Sequence, residues 1–142
     1  MRVKLYSNGY TKIYEDGTNI STIGSYENDE EVQNFLANGG VVEPEFTGAE
    51  LKEQQRQQAQ RDRDAALQAI THTFTDGKVV QVRPQDIANF QLAIQQGVDR
   101  KWVLEDNTVR FTTVQELAEA MANGINQGEV IWDGYIAVIE AL

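Results

Sequence analysis

From Leu51 to Ile70 the chain has no glycine, no proline and few apolar residues before Ala65. Gln54, Gln55, Gln57, Gln58 and Gln60 crowd one stretch, with Arg56, Arg61, Asp62, Arg63 and Asp64 among or after them. Such a run has no strand alternation and nothing to break a helix, so it predicts one long helix. Thr47 and Glu50 stand three apart at its start, the hydroxyl-to-carboxylate spacing of a capping box. A run of about 22 residues would span roughly 33 Å as a helix. A helix polar on every side cannot sit inside a core. It is a solvated spacer, the weak seam of a polar coiled coil seeded by Leu51 and Ala59, or disordered. The spacer is the leading expectation.

This segment divides the chain into a head (residues 1–46), a helical linker (47–69) and a tail (70–142). Charge follows the same division. The 142 residues carry 22 acidic and 12 basic side chains, a net of −10. Residues 1–47 hold 8 acids and 3 bases, residues 48–70 hold 4 of each, and residues 71–142 hold 10 and 5. Head and tail are thus equally acidic and the connector is neutral.

The expected fold class is α+β. In the head, Val3 and Leu5 alternate with Arg2, Lys4 and Tyr6, the period of a half-buried strand. Ser7-Asn8-Gly9 and Asp16-Gly17 are turn signals around a second alternating run, Tyr10 to Tyr14, so a hairpin or short meander is expected. A helix is expected over residues 27–38, with Val32, Phe35 and Leu36 on one face and Asn28 or Asp29 as cap. Pro44 keeps the short extended stretch at Val41-Val42 out of any central strand. The tail reads as hairpin, helix, hairpin and long helix. Asp76-Gly77 is expected to be the two-residue loop of the first hairpin, and Asp106-Asn107 the turn of the second. Pro84 opens the middle helix and Gly97 closes it. Thr113 and Glu116 form a second capping box. From there Val114, Leu117, Met121, Ile125, Trp132, Tyr135, Ile139 and Leu142 recur at mostly helical steps. Gly124, Gly128 and Gly134 interrupt this pattern, so the helix either breaks near Gly128 or runs straight through. In the second case its apolar stripe outlasts the small tail and is expected to bury against another chain.

Composition excludes much chemistry. Without cysteine there is no disulfide, no thiolate metal site and no cysteine nucleophile. His72 is the sole histidine, so a multi-histidine metal site is excluded. The acidity argues against nucleic acid and anionic membranes as partners. No apolar run is long enough for a membrane span, and Met1 to Tyr6 alternates like a strand, not like a signal peptide. Synthesis inside a cell is therefore the expectation.

No catalytic, cofactor or metal site is expected. His72 shares its strand face with Ile70 and Phe74 and reads as a packed side chain. Neither Asn28-Asp29-Glu30-Glu31 nor Asp62-Arg63-Asp64 has the spacing of a calcium loop. Glycine-rich phosphate loops and nucleophile elbows are missing too. Trp102 is expected in the core and Trp132 at an interface. The expected partner-binding residues are Ile125, Trp132, Tyr135, Ile136 and Ile139.

The stretch from about Arg61 to Leu142 resembles a domain of unknown function found in tailed-phage fibre proteins and in small proteins encoded beside fibre genes. The resemblance is carried by Arg63-Asp64-Ala65-Ala66-Leu67, Phe74-Thr75-Asp76-Gly77 and Gln85-Asp86-Ile87-Ala88-Asn89. It continues through Trp102-Val103-Leu104-Glu105-Asp106-Asn107-Thr108-Val109 to Thr113-Val114-Gln115-Glu116-Leu117. The tryptophan strand with its Asp-Asn-Thr turn is the most specific piece. The family usually has alanine where Glu105 stands, and often a histidine near Gly124 that this chain lacks. The resemblance implies a non-enzymatic protein of the virion's tail fibre. Its work would be fibre assembly as a chaperone, or fibre attachment or capping, in the host cytoplasm during assembly or in the virion itself. The implied partner is a tail-fibre or neighbouring tail protein, and a homo-oligomer is expected. A permanent structural role in the tail is the nearest alternative. An acidic anti-host protein and a glycan hydrolase lie further off.

Overall fold

The computed structural model describes residues 1–142 and has an α+β fold. Two compact units divide it, Met1–Glu53 and Gln54–Leu142.

In the first unit, β1 (Arg2–Tyr6), β2 (Gly9–Ile13), β3 (Asn19–Ile23) and β4 (Val42–Glu43) make one sheet in the order β3-β2-β1-β4. The meander β1-β2-β3 is antiparallel, and β4 returns parallel to β1. Between β3 and β4, α1 (Glu30–Ala37) crosses one face. Val3, Tyr10 and Val32 are the buried centre, with Leu5, Tyr26, Phe35, Leu36 and Val42 packed around them. The helix starts later than expected because Asp29 is its cap. The Asp29 carboxylate accepts hydrogen bonds from the Glu31 and Val32 amides, both at 3.1 Å. Pro44 follows β4 directly and leaves it at the sheet's edge, as the sequence predicts.

The long polar run forms α2 (Gly48–Gln68), so the disordered alternative does not hold. The Thr47 hydroxyl accepts from the Glu50 amide at 3.1 Å, which is the cap half of the expected box. α2 is exposed over its first turns. From Ala59 onward one line of positions (Ala59, Arg63, Ala66 and Leu67) turns inward, and Leu67 is buried in the core of the second unit.

That second unit contains a hairpin, β5 (Thr71–Thr73) with β6 (Val79–Gln81), and a 3-10 turn at Pro84–Asp86 that leads into α3 (Ile87–Gln96). A second hairpin follows, β7 (Arg100–Val103) with β8 (Val109–Thr112), then α4 (Val114–Glu140). Its core is Leu67, Ile70, Phe74, Val80, Val82, Phe90, Ala93, Leu104, Leu117 and Ala120. Trp102 packs on this core with its ring 4.7 Å from that of Phe90, as expected. Arg110 ties three elements together. Its guanidinium donates to Asp76 at 2.8 Å and Glu116 at 2.6 Å, and lies 4.1 Å from the Phe74 ring centre. The capping box at Thr113 and Glu116 is complete.

The hairpin loops correct the two-residue expectation. In the β5–β6 loop, Phe74 donates to the Lys78 carbonyl while Gly77 donates to that of Phe74. This is a three-residue loop whose last residue takes positive φ, +81° at Gly77. The loops at Tyr14–Thr18 and Leu104–Thr108 have the same bonds, with Asn107 at +62° in the third. In all three an aspartate (Asp16, Asp76, Asp106) accepts from the amide two residues on. The aspartate side chain takes up an amide that a two-residue loop would have used in the ladder.

α4 runs unbroken through its three glycines. Gly124 is buried where the helix packs against Val82, just past the end of β6. A Cβ there would lie 2.7 Å from Val82 Cβ and closer still to Cγ1, so only glycine permits the approach. No helix of the chain is long and apolar enough to cross a membrane.

Candidate protein-binding surface

Past Gly124, α4 leaves the small core and carries its apolar residues beyond it. Ile131 still packs against the core. On one flank Ile125, Trp132 and Ile136 are 39%, 44% and 47% exposed. On the other, Val130 and Val138 are 71% and 47% exposed. Single exposed apolar side chains are ordinary, but five on one helix half make an apolar strip along each flank.

The expectation that the surplus stripe must be buried by another chain is corrected in part. α2 covers the middle of it. Arg63 lies with its guanidinium carbon 4.6 Å from the Trp132 ring centre and 4.5 Å from that of Tyr135. Those two rings meet edge to face at 5.8 Å, the separation of one step of three along a helix. Arg63 also pairs with Asp64 at 2.9 Å, so its charge is met while its flat face rests on the aromatics.

Two open grooves flank this contact. The larger, of about 810 Å³, runs between α2 and α4 and is floored by Ala59, Ala66, Ile131, Gly134, Tyr135 and Val138. Small side chains on both helices keep it open. The second, of about 500 Å³, is bounded by Leu67, Ile87, Ile125, Gly128 and Trp132, with Glu129 and Asp133 on its wall. The sequence-predicted partner residues are therefore distributed. Ile125 and Trp132 face the second groove and Tyr135 the first. Ile136 is exposed beside them, and Ile139 is partly buried and lines neither. Sequence reasoning missed Arg63, Val130 and Val138. An arginine in a glutamine-rich helix carries no mark of the aromatic pair it will meet, and the two valines fall off the stripe's spacing.

The residues considered for chemistry are otherwise engaged. His72 Nδ1 sits 2.9 Å from the Asn123 side-chain amide, and its ring meets Phe74 edge to face at 5.2 Å. No carboxylate orients it. Asp29 and Glu31 bind Lys12, at 3.1 and 3.0 Å. Hydrogen bonds from Tyr10, from the Val32 amide and from Lys12 hold the Asp29 carboxyl at about 2. Asp62 accepts from Gln58 at 2.7 Å. No three His, Asp or Glu side chains converge as a metal site.

The chain matches no family model, no curated protein and no solved structure.

Proposed function

We propose that the chain works by binding protein, as a non-enzymatic component of tail-fibre assembly: a chaperone of the fibre, or a piece that attaches or caps it. The observation that carries this is the exposed apolar half of α4, where Ile125 and Trp132 line one open groove with Ile136 exposed beside them, and Val130 and Val138 line another. A contiguous apolar surface with an aromatic anchor and an acidic margin is what a protein-binding site needs. The fibre as partner is supported by the resemblance of residues 61–142 to the tail-fibre-associated domain.

Coexpression with a candidate tail-fibre protein tests this. The fibre should be soluble with the native chain. Trp132→Ala and Ile136→Glu should each cut the soluble fraction several-fold while the chain itself still melts cooperatively. Soluble fibre without the chain, or with both variants, overturns the reading. Mass spectrometry of purified particles then separates the two roles, since a chaperone is absent from them and an attached or capping part is present.

A further inference from the structure

The two edges of the first unit's sheet are built differently. β4 is two residues long, carries Glu43 and runs into Pro44, three features that discourage further pairing. β3 has none of them. Its five residues, Asn19-Ile20-Ser21-Thr22-Ile23, are uncharged, three are β-branched at Ile20, Thr22 and Ile23, and every one is exposed. Residues 17–26 contain no charge at all, in a chain of net −10.

The ladder shows which groups that edge offers. Tyr14 donates to the Thr18 carbonyl at 2.9 Å and Gly24 to that of Asn8 at 2.9 Å, which brackets the β2–β3 register. Hydrogen-bonded pairs alternate along an antiparallel ladder, so Ile20 and Thr22 bond to β2. Asn19, Ser21 and Ile23 therefore turn their N–H and C=O groups outward.

We propose that β3 pairs antiparallel with β3 of a second copy of this chain, about a two-fold axis at Ser21. This goes beyond the fibre-binding reading and does not depend on it. The axis sets Ser21 against Ser21, Ile20 against Thr22 and Asn19 against Ile23. All three outward residues of each strand then find reciprocal hydrogen bonds, and the two four-stranded sheets become one. Charge selects this occupant. A two-fold axis sets the same short segment of both copies side by side, so a charge near the axis would meet its own copy at close range, whereas a strand meant for a foreign partner gains specificity from opposite charge. On an otherwise acidic molecule, β3 is the sheet edge where two copies meet without repulsion.

The chain has no cysteine, so a single introduced thiol reads the register directly. In the full chain under mild oxidation, Ser21→Cys should cross-link to itself, since paired Cα atoms lie about 5.5 Å apart and within disulfide reach. Asn19→Cys should not, because four residues of strand hold its two copies about 14 Å apart. Without cysteines, sedimentation should show a dimer of twice 16.0 kDa. Ser21→Glu and Ser21→Lys should each shift it to monomer, and mixing the two should restore the dimer, which also proves both variants folded. A native monomer, a dimer that neither charge disturbs, or equal cross-linking of the two cysteine variants overturns the proposal.

Discussion

Asp29 is the most connected residue of the first unit. Its carboxylate receives the Tyr10 hydroxyl at 2.6 Å, caps α1 through two amides and pairs with Lys12. All of these favour the charged form, and together they hold its carboxyl at about 2. An unfolded aspartate titrates near 3.9, so the folded value is the lower one. Stability from this group is therefore complete above about pH 5 and is lost as pH falls from about 4 toward 2. Glu31, held low by Tyr14 and Lys12, adds in the same direction. Asp29→Asn keeps a good cap but removes the charge. Thermal melting at pH 5 should show the variant less stable than the native chain, and by pH 2 most of that gap should be gone. A gap that stays constant with pH would refute the account. The sequence marks Asp29 as a cap candidate, but nothing in it brings Tyr10 and Lys12 to the same carboxylate, because that meeting depends on where α1 lies across the sheet.

Among the elements, α4 shows both what sequence pattern reveals and what it hides. The capping box and the 3.6-residue stripe locate the helix, because both are local. Whether it survives its glycines is not local. Each glycine lowers helix propensity by about 1 kcal/mol, which is why the sequence leaves room for a break at Gly128. The helix persists because Gly124 lets Val82 approach, and a Cβ at Gly128 would meet only Ile70 Cδ1, at an ordinary contact distance of 3.9 Å. Gly134 has nothing near its Cβ direction. Identical substitutions should therefore act oppositely. Gly134→Ala should stabilise by about 0.5–1 kcal/mol, through propensity alone. Gly124→Ala should gain the same propensity but force Val82 aside, at about 1–3 kcal/mol, and come out destabilised. Urea denaturation of the two variants checks this, and a stabilised Gly124→Ala would mean that α4 can shift off Val82 freely. The hairpins teach a similar lesson. Asp-Gly and Asp-Asn mark each turn correctly, yet the loops are one residue longer than the dipeptide suggests, because the aspartate side chain competes for the ladder's next amide.

At the scale of the whole chain, the long polar helix was legible as the dividing feature, and the α+β class followed from the alternation and spacing on either side of it. Its inward line from Ala59 was not legible, since two alanines and an arginine do not announce a buried face. Their role comes from the aromatics of α4, some 70 residues later. The two hydrophobic centres share no residue. Val3, Tyr10 and Val32 belong to the first, and the second is built wholly from Leu67 onward. Separate cores imply separate folding, because the apolar burial that offsets chain entropy is complete within each unit. The second unit also holds Arg63, Trp132 and Tyr135 together, so its α2 segment must remain attached. A fragment spanning residues 54–142 should therefore melt cooperatively, and near the temperature of that unit in the full chain. Starting instead at residue 70 removes Arg63, Ala66 and Leu67. That should lower the melting temperature by several degrees and expose Trp132, seen as a red shift in its fluorescence. If the longer fragment fails to melt cooperatively, the two cores are interdependent. If the shorter one melts like the longer, α2 is a spacer over its whole length after all.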